Sequence, residues 1–153
     1  MATGGRAAEP GGSRPASRGP AIAGRLAYLD SSAYVKLPLQ EAEQEALLAE
    51  LVRWDGYVSS SLLGVEAVRA CERYGEGYAA DARSFLMDVS LLPLEDAILT
   101  EAASIEPAKL RSLDAVHLAT ALSIRDEIGV FVTYDQRLGQ AAAEQGLAVT
   151  QPS

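Results

Sequence analysis

Four acidic residues carry the clearest chemistry in this chain: Asp30, Glu66, Asp114 and Asp135. Asp30 ends the apolar run Leu26-Ala27-Tyr28-Leu29, and Asp135 follows Val130-Phe131-Val132 in Thr133-Tyr134-Asp135. Asp114 opens an alanine-rich helical stretch, and Glu66 lies inside another. Strand ends and helix starts meet at one edge of a parallel sheet, where ligands bind. Within about 5 Å of one another, each like-charged pair costs on the order of 3 kcal/mol at an effective dielectric of about 20. Raised pKa values or a bound cation must relieve that repulsion. Oxygen-only donors suit Mg2+ or Mn2+, and the absence of a Cys/His cluster argues against zinc. A metal in an open acidic pocket points to phosphoester chemistry, in which it activates a water and stabilises the leaving oxygen. The competing reading is structural. An aspartate at a strand end or helix start also serves as a cap, and Glu41, Glu43, Glu45 and Glu50 read as solvated surface groups.

The elements that must position these acids alternate short apolar runs with helical periodicity, the mark of βα units. Strands are predicted at Leu26 to Leu29, Gly56 to Ser59, Val89 to Leu92 and Val130 to Thr133, with an edge strand at Leu147 to Val149. Helices are predicted from the first strand through Val35, then over Gln40 to Trp54, and from Ser60 or Ser61 as cap to about Tyr74. Further helices are predicted at Tyr78 to Met87, Glu95 to Ile105, Leu113 to Ile128 with Ser112 as cap, and Gln136 to Gln145. The fold class is α/β, a sandwich with a mostly parallel central sheet flanked by helices. A side chain just past the end of such a strand emerges above the sheet edge. Asp114, in the first turn of its helix, meets unpaired backbone N–H groups.

The 153 residues suit one domain, and 48% hydrophobic content is ample for a core. Residues 1–24 are Gly, Ala, Pro, Ser and Arg with few large apolar side chains, and a disordered leader is expected. That leader either touches RNA or is a dispensable extension or misplaced start. No stretch approaches the roughly 18 apolar residues of a membrane span, and a single cysteine, Cys71, fits a reducing cytoplasm. Cys71 reads as a core thiol. Net charge is -8; four arginines against Glu9 give +3 before Leu26, leaving -11 for the rest. Such an acidic body argues against tight nonspecific nucleic-acid binding by bulk electrostatics. A nucleic-acid substrate would be held locally, by a metal and a few arginines. The acidity also suits a basic protein partner.

Together with their neighbours, the four acids resemble the PIN-domain ribonucleases, most closely the VapC-type toxins of toxin–antitoxin pairs. The blocks are Tyr28-Leu29-Asp30-Ser31-Ser32-Ala33-Tyr34-Val35-Lys36-Leu37, Glu66-Ala67-Val68-Arg69, Leu113-Asp114-Ala115-Val116-His117-Leu118-Ala119-Thr120-Ala121 and Phe131-Val132-Thr133-Tyr134-Asp135-Gln136-Arg137-Leu138. They occur in family order and reach from Leu26 almost to the C-terminus; the long leader departs from the pattern. The resemblance implies a PIN-like nuclease domain over residues 25–153 and Mg2+- or Mn2+-dependent endonucleolytic cleavage of RNA. It also implies a cognate antitoxin that blocks the site and a homodimer. Asp30, Asp114 and Asp135 would be metal ligands, and Glu66 would help hold the cation or activate water. Ser32 and Thr133 would line the pocket and orient a carboxylate or water. Arg69 either meets a substrate phosphate or pairs with Glu66 or Glu72. Arg111 and Arg137 are further substrate-contact candidates. His117, the only histidine, is either a general base or a packed residue behind the site.

Rival functions fail on particular residues. A phospho-accepting receiver domain needs an acidic pair at one strand end and a lysine after a late strand, but the lysines are Lys36 and Lys109. An aspartyl-nucleophile phosphatase wants Asp-x-Asp, and position 32 is serine. A catalytically idle PIN-like binding module is the remaining alternative.

Overall fold

The computed structural model describes residues 25–153, so the expected leader, residues 1–24, lies outside the described residues. Strand β1 (Leu26–Leu29) is followed by α1 (Ser31–Tyr34), α2 (Gln44–Leu51), β2 (Gly56–Ser60), α3 (Leu62–Glu72), α4 (Glu76–Leu86) and β3 (Val89–Leu92). Then come α5 (Asp96–Ser104), α6 (Ser112–Ser123), β4 (Ile128–Val132), α7 (Gln136–Glu144) and β5 (Val149–Thr150). The strands form one sheet in the order β3-β2-β1-β4-β5, and every pairing is parallel. Because β1 is central, the chain winds first toward β2 and β3, and later toward β4 and β5. The order therefore reverses at β1 and β4, and a crevice opens beyond their C-terminal ends.

Period-two alternation divides the core between the two faces of the sheet. Ala27, Leu29, Val130 and Val132 pack with Tyr34, Leu47, Leu63, Ala67, Cys71 and Ala82 on one face. Tyr28, Val58 and Phe131 pack with Leu118, Ala119, Leu138 and Ala142 on the other. Cys71 is a free, buried thiol whose pKa is pushed up by burial and then by Asp81.

Two predicted helices are shorter than expected. The apolar spacing of Ile124 and Ile128 extends the helix pattern of α6, yet α6 stops at Ser123, and Ile124 leaves helical geometry at φ -125°, ψ 31°. Ile128 instead starts β4 opposite Leu26, and the Glu127 carbonyl accepts from the Arg25 and Leu26 amides at 3.1 Å each. Sheet pairing outweighs the local helical pattern here. Likewise α2 starts at Gln44 rather than Gln40, because Gln40 has φ 52°. Ser60 Oγ accepts from the Leu62 amide at 3.1 Å and so serves the start of α3. Ser112, expected as a cap, is instead the first residue of α6.

Candidate active site

The four acids arrive from four separate segments and line one open cleft of about 660 Å³ at the sheet's C-terminal edge. Ser31, Ser32, Arg69, Arg73 and Arg111 share its walls, with Val35, Leu62, Val65 and Leu113 as apolar patches.

Asp30 is the most enclosed, at 2% exposure. It caps α1, taking the Ala33 amide at 2.9 Å on Oδ1. Ser32 Oγ lies 2.8 and 2.9 Å from its two oxygens, and Thr133 Oγ1 donates to Oδ2 at 2.6 Å. These hydroxyls are themselves held, Ser32 Oγ accepting from the Tyr134 amide and Thr133 Oγ1 from the Asp135 amide. Gly139 lets α7 press close behind Thr133; a Cβ there would stand 3.3 Å from Thr133 Cγ2. Burial pushes the Asp30 carboxyl pKa up, opposed by the donors from Thr133, Ala33 and Ser32.

Glu66 projects from the second turn of α3. Its Oε1 is 2.6 Å from His117 Nε2, and its Oε2 accepts from Ser31 Oγ at 3.2 Å. His117 is fully buried behind the cleft, with Nδ1 2.8 Å from the Tyr28 hydroxyl. An ionised carboxylate only accepts, so Nε2 carries a proton toward Glu66. Burial raises the Tyr28 pKa and keeps the phenol protonated. Its oxygen accepts from the Ser60 amide at 3.2 Å. The phenol proton is thus free for Nδ1, and the tautomer follows from the network. Tyr28 stacks on Phe131, 5.1 Å between ring centroids, which fixes the relay from its far end.

Asp114 and Asp135 are less enclosed and share one counter-ion. Arg111 Nε stands 3.4 Å from Asp114 Oδ2, and its Nη2 donates to Asp135 Oδ2 at 3.3 Å. Asp135 Oδ1 also caps α7 through the Leu138 amide at 2.9 Å. The Asp114 carboxyl is shifted upward, first by burial and next by Asp135, with Arg111 opposing.

The donors are hard oxygens in an acidic cleft, the chemistry that fits Mg2+ or Mn2+. Among the described residues, however, no three Asp, Glu, His or Cys side chains are grouped closely enough to hold an ion as they now point. The hydrogen bonds explain this. Asp30 is turned toward Ser32 and Thr133, Glu66 toward His117, and Arg111 draws on both remaining aspartates.

Ser32 lines the cleft and Thr133 does not, being buried behind Asp30, but both hydroxyls hydrogen-bond the Asp30 carboxylate. Arg69 lines the cleft and, among the described residues, pairs with neither Glu66 nor Glu72. Arg137 does not join the cleft; it lines a neighbouring groove with Lys109. Two helical residues turn the chain about 200°, so Arg137 faces away from the capping Asp135. Sequence reasoning missed Tyr28, Ser31 and Arg73. Arg73 was findable, four residues beyond Arg69 on one helical face.

A parallel sheet with acids gathered at its switch point defines a class of site, and similarity to known proteins narrows it. The chain belongs to the PIN-domain family, whose model matches residues 27–144. It is 41% identical over 126 residues to ribonuclease VapC46 of Mycobacterium tuberculosis, covering 82% of this chain and 97% of that protein. Its fold resembles the sarcin-ricin loop cleaving toxin VapC20 of M. tuberculosis, with TM-score 0.67, 14% identity, and coverage of 82% and 99% of the two chains. It also resembles a chain of a toxin–antitoxin complex from Klebsiella pneumoniae, with TM-score 0.62, 18% identity, and coverage of 83% and 98%.

Proposed function

We propose that this chain is an endoribonuclease of the VapC type, the toxin of a type II toxin–antitoxin pair, cleaving RNA phosphodiester bonds with Mg2+ or Mn2+. The observation that carries this reading is the meeting of Asp30, Glu66, Asp114 and Asp135 in one cleft. Asp30, Asp114 and Asp135 would hold the cation, with Glu66 beside them. When bound, the cation supplies Lewis acidity at the phosphate and a more acidic water. Ser32 and Thr133 hold the Asp30 carboxylate in place, and the Tyr28–His117 pair holds Glu66 at the cleft, where it would take a proton from an attacking water. Arg69 and Arg73 stand at the same cleft for a substrate phosphate.

An acidic cleft with apolar patches at Val35, Leu62, Val65 and Leu113 suits occlusion by a basic, partly apolar antitoxin segment. Exposed apolar side chains outside the cleft, such as Met87 and Leu91, support self-association as a homodimer. No helix among the described residues is long and apolar enough to cross a membrane, and action in the cytoplasm accords with the RNA substrate.

The test uses purified full-length chain with RNA and Mg2+ or Mn2+. Wild type cuts, a chelator stops it, and Asp114→Asn abolishes cleavage while leaving the circular dichroism spectrum unchanged. Equal cleavage by Asp114→Asn removes the site assignment. RNA binding with no cleavage under any cation favours the idle-module alternative.

A further inference from the structure

Of the ten lysines and arginines among the described residues, four are engaged by the protein's own carboxylates, and four of the five without a polar partner line two depressions. Of the thirteen lysines and arginines, all but Arg6, Arg14 and Arg18 lie among the described residues. Arg25 pairs with Asp55, Lys36 with Glu41 and Glu43, Arg53 with Glu50, and Arg111 with Asp114 and Asp135. Arg125 donates to the Gln145 carbonyl. Arg69, Arg73, Arg83, Lys109 and Arg137 form no side-chain hydrogen bond or ion pair among the described residues. Arg69 and Arg73 line the acidic cleft. Lys109 and Arg137 line a second groove of about 420 Å³, with Pro107, Leu110, Gln140, Ala141 and Glu144.

The two depressions adjoin through the chain itself. Lys109 lies two residues before Arg111, and Arg137 two residues after Asp135. Two extended residues reach at most about 7 Å, so the second groove begins about one nucleotide's length from the Arg111 bridge. Its carboxylate, Glu144, already accepts from Gln140 Nε2 at 3.2 Å, and both of its cations are exposed.

From this juxtaposition we propose that the Lys109–Arg137 groove is a binding site for the phosphate backbone of single-stranded RNA beside the point of cleavage. The strand then crosses the acidic cleft between two pairs of free cations, Arg69 with Arg73 on one side and Lys109 with Arg137 on the other. In a body this acidic, a polyanion gains affinity only where unneutralised cations stand locally, and such cations line both the cleft and the adjoining groove. The groove grips backbone and takes no part in the chemistry. Sequence preference therefore does not originate there.

This inference rests on the ribonuclease reading, and the experiment separates the two. A fluorescently labelled single-stranded RNA of mixed sequence is titrated against full-length Asp114→Asn protein, with and without Lys109→Gln plus Arg137→Gln, at several salt concentrations. The same double substitution in the active chain is assayed for cleavage. Expected are a Kd increase of about tenfold and a salt slope shallower by about 0.7 for each phosphate no longer neutralised. In cleavage KM rises while kcat changes little, and Tm is retained. Arg83→Gln, whose cation lines neither depression, leaves all of these unchanged. If wild type cuts RNA but the double variant matches it in Kd, salt slope and KM, the groove proposal falls and the nuclease stands. If wild type neither binds nor cuts RNA, both fall.

Discussion

The two halves of the acidic cleft are built on different physics. On one side, Asp30 is buried and receives three side-chain or backbone donors, Ser32, Thr133 and the Ala33 amide. On the other, Asp114 and Asp135 share one guanidinium that is itself 79% exposed. The first carboxylate is part of the fold: its partners come from both β1 and β4 ends, and removing it orphans them. The second pair stands nearer the solvent, its mutual repulsion relieved by a flexible arm, although Asp135 also caps α7. A site assembled this way has one fixed wall and one adjustable wall, and the adjustable one moves at the lower cost.

The strongest way to break this comparison is to truncate each wall. Asp30→Ala leaves the Thr133 and Ser32 hydroxyls and the Ala33 amide without their shared acceptor and removes the α1 cap. Each orphaned buried donor costs about 1–3 kcal/mol, and a lost cap about 1 kcal/mol. With the Ala33 amide counted as the cap, a loss of about 3–7 kcal/mol in chemical denaturation is therefore expected. Asp114→Ala should lose much less, because its partner is solvated. Equal destabilisation by the two variants would erase the distinction between the walls.

Next in size is the relay behind Glu66. His117→Leu fills the site but leaves the Tyr28 hydroxyl and Glu66 Oε1 without their common partner. The expected loss is about 1–3 kcal/mol in stability. Cation affinity, read as the Tm shift on adding Mn2+, should fall by about 10–100-fold, the usual cost of losing an outer partner of a ligand. His117→Gln, which can still donate to Glu66, recovers part of that affinity. If the Tm shift with Mn2+ is the same in wild type and His117→Leu, the relay does not position Glu66.

The strand-end part of both walls is legible in the sequence, because it follows from order along the chain. Asp30 and Asp135 each follow a short apolar run closely, and parallel strands bring such positions to one edge. Ser32 and Thr133 lie within two residues of these acids. The relay is not legible: Tyr28 and His117 stand 89 positions apart, and only the packing of α6 against the sheet joins them. The end of α6 escapes local reading for a related reason. Nothing local stops a helix at Ser123, and the pairing of Ile128 with Leu26 is decided across more than 100 residues. Arg137 takes a different depression from the one its sequence position suggests, because proximity to Asp135 says nothing about which side of α7 it occupies.

The smallest effect probes the adjustable wall alone. The Asp114 pKa lies above its ordinary value of 3.8, through burial and then Asp135, with Arg111 pulling it back. A carboxyl whose folded pKa is raised holds its proton longer in the folded state than in the unfolded one. Its favourable contribution is thus complete below the unfolded value and is lost as pH rises through the folded value. Without divalent cation, Tm should therefore carry a downward component between acid and neutral pH that originates at Asp114. Arg111→Gln removes the opposing charge and raises that pKa further, so the decline steepens. Asp114→Asn removes the titrating group, so the decline flattens. The direct loss from Arg111→Gln at neutral pH should stay below about 1 kcal/mol, as for exposed ion pairs. Adding Mn2+ at neutral pH should stabilise Arg111→Gln at least as much as wild type, since no guanidinium then competes for the two aspartates. Thermal scans of the three proteins across pH, with and without Mn2+, read every one of these differences. Superimposable profiles for wild type and Arg111→Gln would mean that Arg111 is an ordinary surface arginine and not the internal counter-ion of the cleft.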